Sequence, residues 1–307
     1  MNIKQLKQEA RQRLAPAGKL PAKLTFISVG VSLAAAIISG LLGEIVSGYQ
    51  GGDGLSGMGM ASLLQTLEQC VDLAVQLSSV FWTVGLTAAI FALIRAEQAD
   101  KSTLFTGFRR FGPFLRLFLL KALIVMALAI VMYMPAMLIF SMTPWAMNLE
   151  TAVLTNPEIL DSPEAMEALL GQMVPMLVIY GVLVLVAVLA VMYRLRFAEM
   201  FLISGWNKAL PAMLASSGMT KGMVKDLIRL DLSFWWFHLG SILLLGICYL
   251  DMILELCGVS LGLPSQVSYW LCYLLYALGH LALEVYARPQ VTGADAVLFN
   301  RLSVIEV

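Results

Sequence analysis

Residues Ser216–Phe237 read SSGMTKGMVKDLIRLDLSFWWF. The run starts basic and amphipathic, then passes without a break into a long apolar stretch. On a helix, Lys221, Lys225 and Arg229 recur at i, i+4, i+8 and share one basic stripe. Leu227, Leu230 and Phe234 recur at i, i+3, i+7 and share an apolar one. Such a helix suits a membrane surface, its Lys and Arg reaching anionic lipid head groups. Asp231 and Ser233 stand where the apolar span begins. Either can cap a helix N-terminus or accept from Lys221 or Arg229. The expectation is a surface helix that feeds a transmembrane helix.

Composition widens this to the whole chain. Its 307 residues are 60% hydrophobic and 13% charged, with a mean hydropathy of +0.84. Soluble domains run at about 45–50% apolar and about 25% charged, so a soluble domain is excluded. The N-terminal apolar residues are interrupted by Lys4, Lys7, Arg11 and Arg13, which excludes a signal peptide. The four cysteines include no pair spaced two to four residues apart, so neither a zinc motif nor a disulfide framework is expected. No cofactor or metal is implied. The basic patches border apolar spans, which fits lipid phosphate and not nucleic acid.

In chain order, residues 1–14 form a basic amphipathic helix with Ile3, Leu6, Ala10 and Leu14 on one side, ended by Pro16 and Pro21. The spans follow at about Leu24–Val46, Leu73–Ile94, Leu117–Phe140, Met173–Tyr193, Phe234–Leu256 and Val267–Tyr286. The first carries small residues four apart, Ser39, Gly43 and Ser47, which permit close helix packing. A short amphipathic approach bearing Glu68 and Asp72 precedes the second. Phe105, Phe108 and Phe111 interleave with Arg109 and Arg110 on a second surface helix. Pro135 kinks the third span. Residues 141–172 are polar and acidic, and Ser162-Pro163-Glu164 starts a short outer helix there. The N-terminal segment 1–23 is basic, and the tail 287–307 is short and mixed.

The basic residues sort by side. Six lie in the N-terminal segment, six between spans two and three, six between spans four and five, and two in the tail, which together are all 20 Lys and Arg. The opposite face has none. The positive-inside rule then puts both termini in the cytoplasm of a cell-membrane protein. One span more or fewer breaks the partition. The order of basic stretch, span out and span back occurs three times, as three related or merely similar hairpins.

The Ser216–Phe237 stretch resembles an uncharacterised family of bacterial integral membrane proteins, catalogued as domain of unknown function 975. The resemblance rests on Ser216, Lys221-Gly222 and Leu230-Asp231-Leu232-Ser233-Phe234 with Trp235 and Trp236. Ala10-Arg11 with Leu14, Arg95-Ala96-Glu97, Leu104-Phe105-Thr106-Gly107-Phe108 and Tyr286 are similar to further family motifs, with Ala96 standing for the family's Gly. Thr220 and Ile228 depart from the pattern, and residues from about Ser141 to Gln172 read as an insertion. The resemblance implies a fold and a compartment and carries no activity.

Ionisable groups in spans are costly and are therefore site candidates. Asp251 and Glu255 lie four apart near the outer end of the fifth span. Glu44, Glu68 and Asp72 end the first span or precede the second, and if they converge they make an outer acidic vestibule for a cation or protons. The plainer reading leaves all five hydrated at the interface. On the last span Tyr269, Tyr273, Tyr276, His280 and Glu284 share one face, which must look to protein or water. His280 and Glu284 at i, i+4 can relay a proton. Against that, Glu284 can simply pair with Arg288, and two candidate ligands are too few for a metal. Cys257 and Cys272 flank the last outer loop, where free thiols are favoured over a disulfide.

Two short patterns match enzyme motifs literally: Gly258-Val259-Ser260-Leu261-Gly262 and Gly54-Leu55-Ser56-Gly57. Both fall in loops, where neither has the structural context it needs. The expectation is therefore an all-α, polytopic membrane protein with six transmembrane helices and amphipathic cytoplasmic helices. It is a non-enzymatic transport-related component, or a membrane subunit with a membrane or cytoplasmic protein partner. The alternative is an intramembrane hydrolase or lipid-modifying enzyme using His280 and Glu284.

Overall fold

The computed structural model describes residues 2–49, 55–142, 163–250 and 265–303. Among them there is no strand. The helices are α1 (Ile3–Leu14), α2 (Leu20–Tyr49), α3 (Leu55–Ile94), α4 (Thr106–Arg109), α5 (Phe111–Ser141), α6 (Pro163–Arg194), α7 (Ala198–Ile203), α8 (Ala209–Met219), α9 (Val224–Leu232), α10 (Trp235–Cys248) and α11 (Ser265–Ser303). Short 3-10 turns occupy Ala15–Ala17 and Lys101–Phe105. Five helical stretches are long and apolar enough to cross a bilayer, and α9 with α10 makes a sixth if that bent pair is one span. The all-α, multi-pass architecture expected from composition is what forms.

The helices are longer than the spans they contain. At about 1.5 Å per residue, the 40 residues of α3 and the 39 of α11 each reach roughly 60 Å, about twice a hydrocarbon core. The approach carrying Glu68 and Asp72 is thus continuous with the second span. Pro163 does start a helix, but that helix runs unbroken to Arg194, so the short outer helix and the fourth span are one element. The expected tail is a helix too, because α11 passes through Pro289 to Ser303. A proline ring removes one backbone bond. Burial of Ala287, Ala294, Ala296, Val297 and Phe299 offsets that loss. Pro21 sits in the first turn of α2, where its missing N–H costs nothing, so it begins a helix and does not end one.

The Ser216–Phe237 stretch is broken, contrary to expectation. It comprises the end of α8, a turn with Gly222 at φ +81°, then α9 and the start of α10. Only Lys225 and Arg229 share a helix, and Lys221 lies in the turn. Between α9 and α10 the axis bends by 64°. The bend has a local cause. Ser233 Oγ donates to the Leu230 carbonyl at 2.6 Å, and Phe234 takes φ −105°, ψ 28°, outside the helical region. Leu227, Leu230 and Phe234 are buried, so the apolar stripe packs on protein and not on lipid.

The chain forms two units. The first contains Met1–Phe114, Glu199–Trp206 and Lys225–Val307. Here α2 packs along α3, α10 along α11, α11 against α2, and α1 against α11. The buried face of α1 is Leu6, Ala10 and Leu14, as its periodicity predicts. Gly293 of α11 admits it, since a Cβ there would sit 3.0 Å from a Leu14 methyl. The segment Leu104–Phe108 is pressed onto α3 by two glycines. A Cβ on Gly85 would overlap the Leu104 carbonyl, and one on Gly107 would overlap the Phe81 carbonyl. Phe299 meets Phe91 and Phe201 edge-on, with ring centroids 5.6 and 4.9 Å apart. Each fully buried phenylalanine contributes about 2–3 kcal/mol.

The second unit contains Leu115–Ala198 and Asn207–Val224. Tyr180 on α6 donates its hydroxyl to the Ala129 carbonyl of α5 at 3.0 Å, and its ring meets Tyr133 edge-on. Two hydroxyls on and just after α8 close the end of α6. Ser216 Oγ donates to the Arg194 carbonyl at 2.9 Å and accepts from the Phe197 amide at 3.1 Å. Thr220 Oγ1 donates to the same Arg194 carbonyl at 3.0 Å. Both side chains are fully buried, so these bonds satisfy groups that water does not reach.

Candidate functional site

The polar stripe of the last helix is an observed feature of α11. Trp270, Tyr273, Tyr276, His280, Glu284 and Arg288 recur every three or four residues, so they rise along one face. Trp270 meets Tyr273 edge-on at 5.9 Å, and Tyr273 meets Tyr276 at 6.2 Å. The Tyr276 ring stacks on His280 at 5.5 Å with the planes 13° apart. His280 Nε2 lies 4.0 Å from Glu284 Oε1, which is within ion-pair range but beyond a hydrogen bond. Glu284 itself is buried, only 2% exposed. Its carboxylate takes two bonds from Arg288, 2.5 Å from Nε and 2.8 Å from Nη2. A bidentate guanidinium makes one of the strong charge-assisted hydrogen-bonded pairs, and it satisfies the charge that burial would otherwise penalise. The Tyr269 side chain, Asp251 and Glu255 lie outside the described residues.

The three outer acids do not share one partner. Glu44 accepts from the Trp270 indole at 2.9 Å, which ties the end of α2 to the first turns of α11. Asp72 accepts from Ser39 Oγ, and the Glu68 carboxylate lies against Gly43, where a Cβ would come within 2.6 Å of it. Ser39 and Gly43, the small pair seen in the first span, thus make room for the Asp72 and Glu68 side chains of α3. Among the described residues no group of three or more His, Cys, Asp and Glu is placed to hold a metal ion. Cys70 is exposed and Cys272 buried, both free, and the pairing of Cys257 with Cys272 lies outside the described residues.

On α9, Lys225 and Arg229 are exposed, and Arg229 approaches Asp226 at 3.7 Å. Asp231 is half-buried, and its backbone carbonyl accepts from the Phe234 amide at 2.9 Å. Other basic residues have structural work that the sequence did not announce. Lys7 Nζ donates to the Ser233 carbonyl at 2.9 Å and sits 4.1 Å from the Phe234 ring centroid, closing the bend between α9 and α10. Burial, and then the neighbouring Arg11, lowers the Lys7 pKa from its ordinary value. Arg13 donates to the Ile94 carbonyl at the end of α3 at 3.2 Å. Arg110 donates to the carbonyls of Leu202, near the end of α7, and of Trp206 just after it. All three cations complete helix C-termini, where unpaired carbonyls and the negative dipole end favour them. These contacts join residues 81 to 226 positions apart, so no local pattern predicts them.

Comparison of the chain with protein-family models, curated proteins and solved structures found no match.

Proposed function

We propose that the protein is a non-enzymatic, multi-pass component of a bacterial plasma membrane, either a transport-related chain or a membrane subunit of a larger assembly. The observation that carries this reading is the state of Glu284. A general acid or base must exchange protons with a reacting group in hydrogen-bond reach. Glu284 is sealed and held bidentately by Arg288, and His280 leans on Tyr276. That arrangement favours a rigid structural stripe over the His/Glu hydrolase alternative.

The distribution of all 20 Lys and Arg supports cytoplasmic termini in this proposal. So does the packing of α1 on the far half of α11, which keeps the two chain ends on one side. The likeness to domain of unknown function 975 is part of the same reading. Gly222 and Ser216, two of its motif residues, have physical reasons to be Gly and Ser here, a left-handed backbone and a buried double hydrogen bond. A partner would meet the exposed aromatic ridge of Phe105, Phe108 and Phe111.

The test is a mild-detergent pull-down from native membranes with a C-terminal tag, read by mass spectrometry against an untagged control. A stoichiometric membrane or cytoplasmic partner supports the subunit reading. Isolation alone, combined with loss of the cellular phenotype in His280→Ala at unchanged expression, would overturn it in favour of the enzyme.

A further inference from the structure

Three of the grooves that indent the described surface differ in chemistry. One, of about 590 Å³, is lined by Ile37, Val267, Trp270 and leucines of α11 and has no cation. A second, of about 450 Å³, has Arg11 at its edge, but Arg11 is already bonded to Gln290. The third lies wholly within the second unit and measures about 630 Å³. Its wall is Leu119 and Leu123 of α5 with Leu210 and Pro211 of α8. Those three leucines are 56–60% exposed. Its mouth carries Arg116 and Lys208. Both are exposed, and neither makes an ion pair or side-chain hydrogen bond among the described residues. Lys208 occupies the N-cap of α8, and no side chain caps that helix end.

We infer that this groove binds one phospholipid with an anionic head group, its acyl chain along Leu119, Leu123 and Leu210 and its phosphate between Arg116 and Lys208. The charge is complementary, since two unpaired cations meet one or more phosphate oxygens. The uncapped amides of α8 add partial positive charge at the same place. The leucine wall selects a lipid over a free anion, because a soluble phosphate leaves those methyl groups in contact with nothing of its own. The inference extends the membrane reading above by naming a site and a ligand class. It requires only that the chain is embedded in lipid.

Native mass spectrometry of the full chain in detergent tests it, with dioleoyl-phosphatidylglycerol and dioleoyl-phosphatidylcholine as probes at equal concentration. The expected result is one retained phosphatidylglycerol per protein, with weaker phosphatidylcholine retention. Arg116→Gln with Lys208→Gln reduces phosphatidylglycerol binding about 30-fold, as the loss of two surface cation contacts predicts. Lys4→Gln with Lys101→Gln, two basic residues that do not line the groove, leaves it unchanged. Leu123→Trp fills the wall and lowers binding of both lipids. Arg116→Lys with Lys208→Arg keeps the charge and the binding, which separates a lost site from a lost fold. Equal retention of both lipids, insensitivity to the Arg116/Lys208 pair, or full competition by millimolar inorganic phosphate overturns the inference. The measurement is made in detergent, where no leaflet is chosen, so an error in the assigned orientation does not alter its outcome.

Discussion

The two halves of α3 both carry apolar side chains, and those side chains meet opposite fates. Leu63, Leu67 and Leu73 in the first half are more than half exposed, whereas Phe81, Val84, Ile90 and Phe91 in the second are sealed. Helix α11 shows the same contrast in the other chain direction: Val267, Leu271, Leu274 and Leu278 are open, and Ala287, Ala294, Val297 and Phe299 are closed. The open halves leave their leucines uncovered by the other described residues. The closed halves carry small residues, Gly85, Ala88 and Ala89 on α3 and Gly293, Ala294 and Ala296 on α11, which let another backbone approach. Hydropathy reports that a side chain avoids water. The small residues report whether its neighbour is protein or lipid.

The sharpest way to break this contrast is at Gly85. Gly85→Val drives a side chain into the Leu104 backbone, which cannot yield as a rotamer would, and is expected to cost more than about 3 kcal/mol. Gly30→Ala, with open space around it, is the matched control and should gain up to about 1 kcal/mol of helix stability. Thermal unfolding in detergent distinguishes them. If Gly85→Val melts like the parent, the closed half is not packed as described.

Next in size is Arg288→Met, which strands the buried Glu284 carboxylate. About 2–3 kcal/mol is expected, below the usual cost of breaking a buried pair because Arg288 is itself partly exposed. Adding Glu284→Gln should restore most of it, and a double-mutant cycle reads the coupling. A smaller effect, about 1 kcal/mol, is expected for Lys7→Met, which leaves the Ser233 carbonyl at the bend without its ammonium. Hydrogen exchange of the α9–α10 junction should rise while that of α6 does not change.

The smallest effect has the opposite sign. Ala96 ends α3 at φ +58°, with Glu97 N–H bonded back to the Ala92 carbonyl at 2.9 Å, the C-terminal arrangement that glycine fills without strain. Ala96→Gly should stabilise the fold by about 1 kcal/mol. A lower melting temperature would contradict the left-handed assignment.

Much of this was legible beforehand, and the reasons it was or was not are physical. Leu6, Ala10 and Leu14 announced the buried face of α1 because that face obeys the helical period. Pro163 announced the start of α6 because a first-turn proline loses no bond. The bend after Leu232 was hidden because Ser233-Phe234 contains neither Gly nor Pro, and its stabilising partner, Lys7, is 226 residues away. The extension of α11 was hidden by Pro289, whose cost only burial against α1 and α3 overrides. In the candidate site, the stripe from Tyr273 to Glu284 followed from spacing alone. The separate engagement of Glu44, Glu68 and Asp72 did not, since it depends on which helix each one meets.

The packing of α1 on α11 also orders events in time. Arg11 bonds Gln290, Glu9 pairs with Arg301, and Leu14 lies against Gly293, so α1 is completed by a helix made much later in synthesis. At about 5–20 residues per second, the intervening chain takes roughly 15–60 s to make. Throughout that interval the apolar face of α1 has no mate, and the bilayer surface or a chaperone must shelter it. The first unit closes only once α11 has been made, and a chain truncated before Gly293 never closes it.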